Sequence, residues 1–220
     1  VWLLSMPLLL RLASASFGGF MSRMQVPVNF LVLGIIYFVL GYLLFALLSI
    51  GVVAIHGGSI LDYEWADPQP IKKRIPPLVC VPTTSGTGSE VTLWAVITDP
   101  ARKIKYNVGG TGLIAAHVAL LDPRLTLGLP GRITAGTGMD ALTHAIEGYT
   151  STWCNDFSDG LCPKATQLVF EYLPRAVVND QDEEAREKMH NAATIAGLGF
   201  GNSMAAMAHG LGHSIGALLP

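Results

Sequence analysis

Two pairs of side chains in this sequence have the types and spacing of metal ligands. The first pair, Asp140 and His144, lies four residues apart in GMDALTHAIE, where a helical pattern puts both on one face. A carboxylate and an imidazole placed in this way can bind one divalent ion. Because the neighbouring residues are apolar, we expect a buried face, and a buried aspartate must be paired or bind a metal. The alternative interpretation is a surface or capping pair.

The second pair, His209 and His213, repeats this spacing in MAHGLGHSIG, a segment of small residues without Asp, Glu, Lys or Arg. A single histidine in an apolar helix is usually a core residue, but a second pair at ligand spacing favours a metal site. Nitrogen and carboxylate ligands suit iron, zinc, manganese or cobalt, and they do not indicate calcium or a thiolate site. Such an ion acts as a Lewis acid on a substrate oxygen.

Two glycine-rich turns are candidates for holding phosphate groups. They are HGGS at 56–59 and PTTSGTGSE at 82–90, and each follows an apolar segment. Glycine lets the backbone approach a ligand closely, and amides with Ser and Thr hydroxyls can bind phosphate or carboxamide groups. Either turn alone could be purely structural, but two in one α/β unit favour a pyrophosphate site. Neither GxGxxG nor GxxxxGK[ST] occurs in the sequence.

The elements that position these residues change character near residue 130. Strand candidates rich in β-branched residues are PPLVCVP, TLWAVIT, HVALLD and the apolar GVVAI at 51–55. From about Gly131 onward, apolar residues recur three and four apart in three segments, and a small-residue helix follows them. The acidic stretch 180–186 suits the positive end of a helix dipole. The pattern predicts a βα part followed by an all-helical part.

Composition excludes several classes of protein. The 220 residues allow one domain or two small ones, and 50% hydrophobic with 14% charged residues excludes a disordered tail or a charged coiled coil. The net charge is −2, so we expect no basic patch and no nucleic-acid partner. Three cysteines without CxxC spacing fit a reducing, cytoplasmic location.

An apolar segment precedes the α/β part. Residues 30–55 contain no charge in 26 positions, which is long enough to cross a bilayer. The alternatives are a buried helix followed by a buried strand, or a misjoined gene model, and residues 1–61 carry only Arg11 and Arg23 as charges. Because the chain starts with Val1 and stops after an apolar run, we interpret it as part of a longer protein.

Four stretches resemble the iron-containing (group III) alcohol dehydrogenases in order and spacing: PTTSGTGSEVT, LLDPRLTLGLP, TGMDALTHAIEGY and AHGLGHSIGA. The resemblance begins near residue 51, and residues 1–50 do not share it. It implies an incomplete α/β NAD(P)-binding domain at 51–130 and a partial all-α metal-binding domain at 131–220. It also implies hydride transfer between a primary alcohol or aldehyde and NAD(P), with Fe²⁺ or Zn²⁺, in a homo-oligomer.

The same resemblance implies roles for individual residues. Asp140, His144 and His209 match three metal ligands, the fourth belonging to a PHG-like motif beyond Pro220, and His213 matches a proton relay near substrate and nicotinamide. The matched cofactor-binding residues are Gly57, Gly58, Ser59, Asp62, Thr83, Thr84, Ser85, Thr87, Thr92 and Lys105. His56 replaces the first glycine of the family's GGGS turn, and the lysine that usually follows the acidic residue is absent.

Two further hypotheses stay open at this point. One is a membrane-associated protein whose dehydrogenase-like part is a non-catalytic module. The other is a related metal- and NAD-dependent enzyme of the same superfamily, such as a polyol dehydrogenase or a cyclising synthase. Because most of the first nucleotide-binding half and the fourth ligand are missing, we expect weak NAD and metal binding by this chain.

Overall fold

The computed structural model describes residues 2–5, 43–204 and 206–218. Its strands are β1 (Trp2–Ser5), β2 (Val79–Cys80), β3 (Trp94–Asp99), β4 (Ile104–Gly109) and β5 (Val118–Leu121). β1, β5 and β2 form a parallel sheet in that order, whereas β3 and β4 form an antiparallel ribbon. The strands predicted at PPLVCVP, TLWAVIT and HVALLD are confirmed, while β1 and β4 have no counterpart in the sequence prediction.

The segment 51–55 is helical, so the prediction of a strand there was wrong. It forms the end of α1 (Leu43–His56), where His56 Nδ1 lies 3.1 Å from the carbonyl of Val52. Val52 is fully buried and Gly51 packs closely against Ile75. A short apolar run with β-branched residues is compatible with a buried strand or a buried helix, and periodicity alone does not separate them. Here residues 51–55 continue the helix that begins at Leu43.

The transmembrane hypothesis for residues 30–55 depends on the length of α1. Residues 30–42 lie outside the described part of the chain, and α1 has 14 residues. Among the described residues, no helix has the length and apolarity that a bilayer crossing requires.

The helical part begins where the sequence pattern predicts it. Its helices are α2 (Gly131–Thr150), α3 (Asp156–Val178), α4 (Glu183–Gly201) and α5 (Met207–Leu218). Asn155 caps α3, and Asp182 caps α4 by accepting a hydrogen bond from the Ala185 amide. The interface between α2, α3 and α4 is built largely from fully buried alanines: Ala141, Ala145, Ala165, Ala176, Ala185, Ala192 and Ala196. Small side chains let the helices pack closely, which fixes the position of α2.

The loop 82–92 is held against α4 by buried contacts. Ser85 Oγ lies 3.0 Å from His190 Nδ1, and the Thr194 hydroxyl donates a hydrogen bond of 2.6 Å to Glu90. Gly88 has φ +56°, and a Cβ on it would lie 2.7 Å from the Cα of Gly197. These contacts fix the glycine-rich loop to the helical part.

Candidate metal and cofactor site

Three predicted metal ligands converge on one point. α2 carries Asp140 and His144 one turn apart, and α5 brings His209 against them; one ligand atom from each lies within 4.8 Å of the others. Oδ1 of Asp140 is 3.6 Å from Nε2 of His209, and the two imidazole rings stack with centroids 4.3 Å apart. A carboxylate and two imidazoles at this separation suit iron or zinc.

Two nitrogens in this cluster are buried and unpaired. Nδ1 of His144 and Nε2 of His209 have no hydrogen-bond partner within the described part of the chain. Buried polar atoms in native proteins are nearly always paired. A cation between them would satisfy both nitrogens, so the residues present fit a divalent metal.

The electrostatics of the cluster keep Asp140 and His144 in their metal-binding forms. Burial lowers the pKa of His144 to about 4, so its imidazole is neutral at pH 7. Burial opposes ionisation of Asp140, but the interaction with His209 and the neighbouring imidazoles outweigh it and lower the pKa of this carboxyl. Burial also opposes protonation of His209, whereas Asp140 and Glu147 together raise its pKa.

Glu147 is a site residue that the sequence reasoning missed. Its carboxylate accepts hydrogen bonds from Nδ1 of His209 and from the backbone amides of Ala206 and Ala208. The Glu147 side chain is only 9% exposed, so these bonds replace its water. Glu147 follows His144 by three residues, which places both on one helix face, and this periodicity is the signal that could have identified it.

A cavity of about 1100 Å³ lies beside the ligands. It is bounded by α1, the β3–β4 ribbon and α5, and His213 also lines it. Trp65 and Trp94 form an apolar wall, with ring centroids 4.7 Å apart in an edge-to-face contact. Predicted cofactor residues on its wall are Gly58, Ser59, Thr87, Thr92 and Lys105. The volume is sufficient for an extended ligand reaching from the turns to the metal ligands.

The HGGS turn owes its shape to its glycines and to Asp62. Gly57 and Gly58 have φ of +80° and +73°, the left-handed region that favours glycine. The Asp62 carboxylate accepts a 2.8 Å hydrogen bond from the Ser59 amide, and a Cβ on Gly58 would meet this carboxylate. Asp62 therefore shapes the turn, while Gly58 and Ser59 line the cavity.

The hydroxyls of the second loop do not all face the cavity. Thr87 and Thr92 line it, whereas the Ser85 hydroxyl pairs with His190 instead. Thr83 and Thr84 are half-buried outside the described wall of the cavity. The structure thus brings two of the five predicted loop residues to the site.

His213 lies next to the proposed ligands without joining their cluster. Its ring meets that of His209 edge to face, with centroids 5.9 Å apart. Burial, together with the charges of His209 and Lys105, lowers the pKa of His213. Its position on the cavity wall is compatible with a proton relay.

The buried contact between the loop 82–92 and α4 is tested by the effect of acid on the free energy of unfolding. Burial lowers the pKa of His190 to about 4 against the opposing charge of Asp122. Below pH about 6.5, the unfolded chain gains a proton on this residue that the folded chain does not take up. We expect the free energy of unfolding to fall by about 3 kcal/mol between pH 6.5 and 4 from His190 alone.

Urea titrations of the metal-free chain across this pH range measure the effect. His144 has a similarly lowered pKa and contributes in the same direction. A His190→Gln variant should therefore lose about half of the pH dependence that these two histidines produce. An unchanged slope in this variant would contradict the assignment.

Two family models match the chain, one on each side of residue 130. A family model described as iron-containing alcohol dehydrogenase matches residues 49–123, and one for the C-terminal part of the Fe-containing alcohol dehydrogenase family matches residues 134–219. The chain belongs to the iron-containing alcohol dehydrogenase family.

Relatives and solved structures support this membership. A choline dehydrogenase of Bacillus subtilis is 48% identical over 78% of this chain and 43% of its own length. An NAD-dependent methanol dehydrogenase of Bacillus methanolicus is 43% identical over 77% of this chain and 44% of its own. An iron-containing alcohol dehydrogenase from Thermococcus thioreducens superposes with TM-score 0.75 and 33% identity, covering 82% of this chain and 48% of that chain. The chain thus spans less than half the length of these relatives.

Proposed function

We propose that this chain is part of an NAD(P)-dependent alcohol dehydrogenase that uses Fe²⁺ or Zn²⁺. The observation that carries the proposal is the convergence of Asp140, His144 and His209, with two unpaired buried nitrogens, beside a large cavity. A bound ion would supply Lewis-acid chemistry at the alcohol oxygen, and the nicotinamide would supply hydride acceptance. The α/β part, 51–130, and the helical part, 131–220, are the proposed domains.

The chain's own residues divide the remaining work. The cation is held by Asp140, His144 and His209. The negative charge of the Asp140 carboxylate offsets part of the positive charge of the ion. His213, on the cavity wall beside His209, accepts the proton of the alcohol hydroxyl directly or through water. Trp65 and Trp94 provide an apolar wall in the same cavity.

The cofactor is proposed to lie along the cavity between the two glycine-rich turns. Gly58 and the Ser59 side chain face the diphosphate, and Thr87 and Thr92 also bind it, with Lys105 near the ribose. The Lys105 ammonium lies close to Gly216 on α5, and Lys105 lines the same cavity as the metal ligands on α2 and α5. The names of the relatives include choline, 1-propanol and methanol dehydrogenases, which supports a small alcohol or aldehyde as substrate.

Tryptophan fluorescence provides a direct test, because Trp65 and Trp94 line the cavity. NADH added to the Zn²⁺-treated chain should quench tryptophan emission and gain sensitised emission of its own. A variant with Trp65→Phe and Trp94→Phe should lose this transfer, whereas Trp153→Phe, an exposed residue that is not among those lining the cavity, should keep it. No transfer in the unmodified chain, or transfer that survives the double substitution, would contradict the proposed cofactor site.

Turnover is then measured as NADH formed from NAD⁺ with methanol, 1-propanol, choline, glycerol and a diol. We expect slow oxidation of at least one simple alcohol that stops when a chelator is added. Oxidation that continues unchanged with the chelator would overturn the metal-dependent mechanism.

A further inference from the structure

We propose that Glu147 is a positioning residue that fixes the tautomer of His209, so that the Nε2 lone pair faces the metal. The proposal rests on the proposed metal site and adds to it a residue that does not itself bind the ion. Glu147 is on α2 with Asp140 and His144, whereas His209 is on α5. One side chain therefore links the helix that provides two ligands with the helix that provides the third.

The hydrogen-bond inventory of Glu147 determines where the His209 proton lies. An ionised carboxylate only accepts hydrogen bonds. Two of its three partners are the amides of Ala206 and Ala208, and the third is Nδ1 of His209. Nδ1 must carry a proton to make this bond, so in the neutral ring Nε2 keeps its lone pair. Nε2 is the unpaired nitrogen that faces Asp140 at 3.6 Å.

The same carboxylate also orients the element that carries the imidazole. The Ala206 and Ala208 amides lie at the start of α5, where the helix has free N–H groups that favour a negative charge. The His209 plane is further fixed by stacking on His144, which itself stacks on Phe200 with centroids 4.2 Å apart. Ring rotation and ring tautomer are thus restrained by different contacts. Within the described part of the chain, Glu147 makes the only hydrogen bond to the His209 ring, because Asp140 lies at 3.6 Å from Nε2.

Glu147→Gln separates this role from a merely structural one. The glutamine oxygen still accepts a backbone hydrogen bond, so α5 keeps a cap. Its NH₂ group is a donor, and where it faces Nδ1 it favours the tautomer that carries the proton on Nε2. We expect the affinity for Zn²⁺, measured by competition with a chromophoric chelator, to fall about 10- to 100-fold.

Two readouts accompany the affinity. Ring ¹⁵N shifts of His209 in the metal-free chain, recorded at alkaline pH where they no longer change with pH, should show Nδ1–H in the unmodified chain and Nε2–H in Glu147→Gln. The thermal midpoint should fall by about 2–4 °C, because the NH₂ group that faces Nδ1 also replaces the acceptor of the Ala206 amide. The matched control is Glu171→Gln, at an exposed position on α3, which should change none of these values.

The outcomes distinguish this proposal from the proposed function. Glu147→Gln with unaltered Zn²⁺ affinity, while Asp140→Asn loses it, would overturn the role of Glu147 and leave the metal site intact. An unmodified metal-free chain with Nε2–H on His209 would overturn it as well. If the unmodified chain takes up no Zn²⁺, the proposed function fails, and the ring shifts, which need no metal, still decide the tautomer.

Discussion

Replacing Asp140 with asparagine should abolish stoichiometric metal binding and lower any alcohol oxidation by on the order of 10³-fold. The Asp140 carboxylate is the only negative ligand in the cluster, which otherwise has the imidazoles of His144 and His209. Asparagine keeps the shape but removes the charge that offsets the cation. A Lewis acid contributes several kcal/mol of transition-state stabilisation, and each 1.36 kcal/mol corresponds to a tenfold change in rate.

Metal content after dialysis and NADH formation measure the two effects separately. Asp67→Asn is the control. It makes the same chemical change at an exposed aspartate outside the metal cluster. We expect this control to keep both metal and turnover. Wild-type Zn²⁺ content in Asp140→Asn would show that the ion is bound elsewhere.

Gly88→Ala should destabilise the chain by about 2–5 kcal/mol. The left-handed backbone conformation at φ +56° costs about 1–2 kcal/mol for a residue with a Cβ. The methyl group would also lie 2.7 Å from the Gly197 Cα and 3.0 Å from the Ala193 carbonyl oxygen. Backbone atoms cannot move aside as a flexible side chain can, which adds about 1–3 kcal/mol. Displacement of the loop should also weaken NADH binding through Thr87.

Urea unfolding measures this loss, and a second glycine provides a control of opposite sign. Gly136 is exposed within α2, and a Cβ added to it would meet no atom within 4 Å among the described residues. Gly136→Ala should therefore stabilise the chain by about 0.5–1 kcal/mol. Equal unfolding midpoints for the two variants would show that the loop is not packed on α4 as described.

The sequence predicts the helical elements and the Asp140–His144 pair because both depend on local spacing, whereas His213 of the second pair lies outside the cluster. Asp140 and His144 share a face of any regular helix, whatever surrounds it. Tertiary packing of α5 brings His209 to the same point, and local spacing does not reveal this. Before the structure, only the resemblance to a family implied that His209 is a ligand. Glu147 was missed for the same reason, since its partners are on another helix.

Where tertiary contacts decide local structure, the sequence prediction was wrong or incomplete. The apolar residues 51–55 fit a strand by composition, but the helix continues because Val52 is buried against the α/β core. In the loop 82–92, Ser85 and Thr87 are chemically similar, yet one faces His190 and the other faces the cavity. Nothing in a hydroxyl-rich loop indicates which hydroxyls turn inward.

Anomalous diffraction from crystals grown with Zn²⁺ tests the central claim most directly. We expect one peak, above and not below the zinc absorption edge, at about 2.0–2.2 Å from an Asp140 oxygen and from one ring nitrogen each of His144 and His209. A zinc peak bound by other residues, with these three side chains left unliganded, would contradict it.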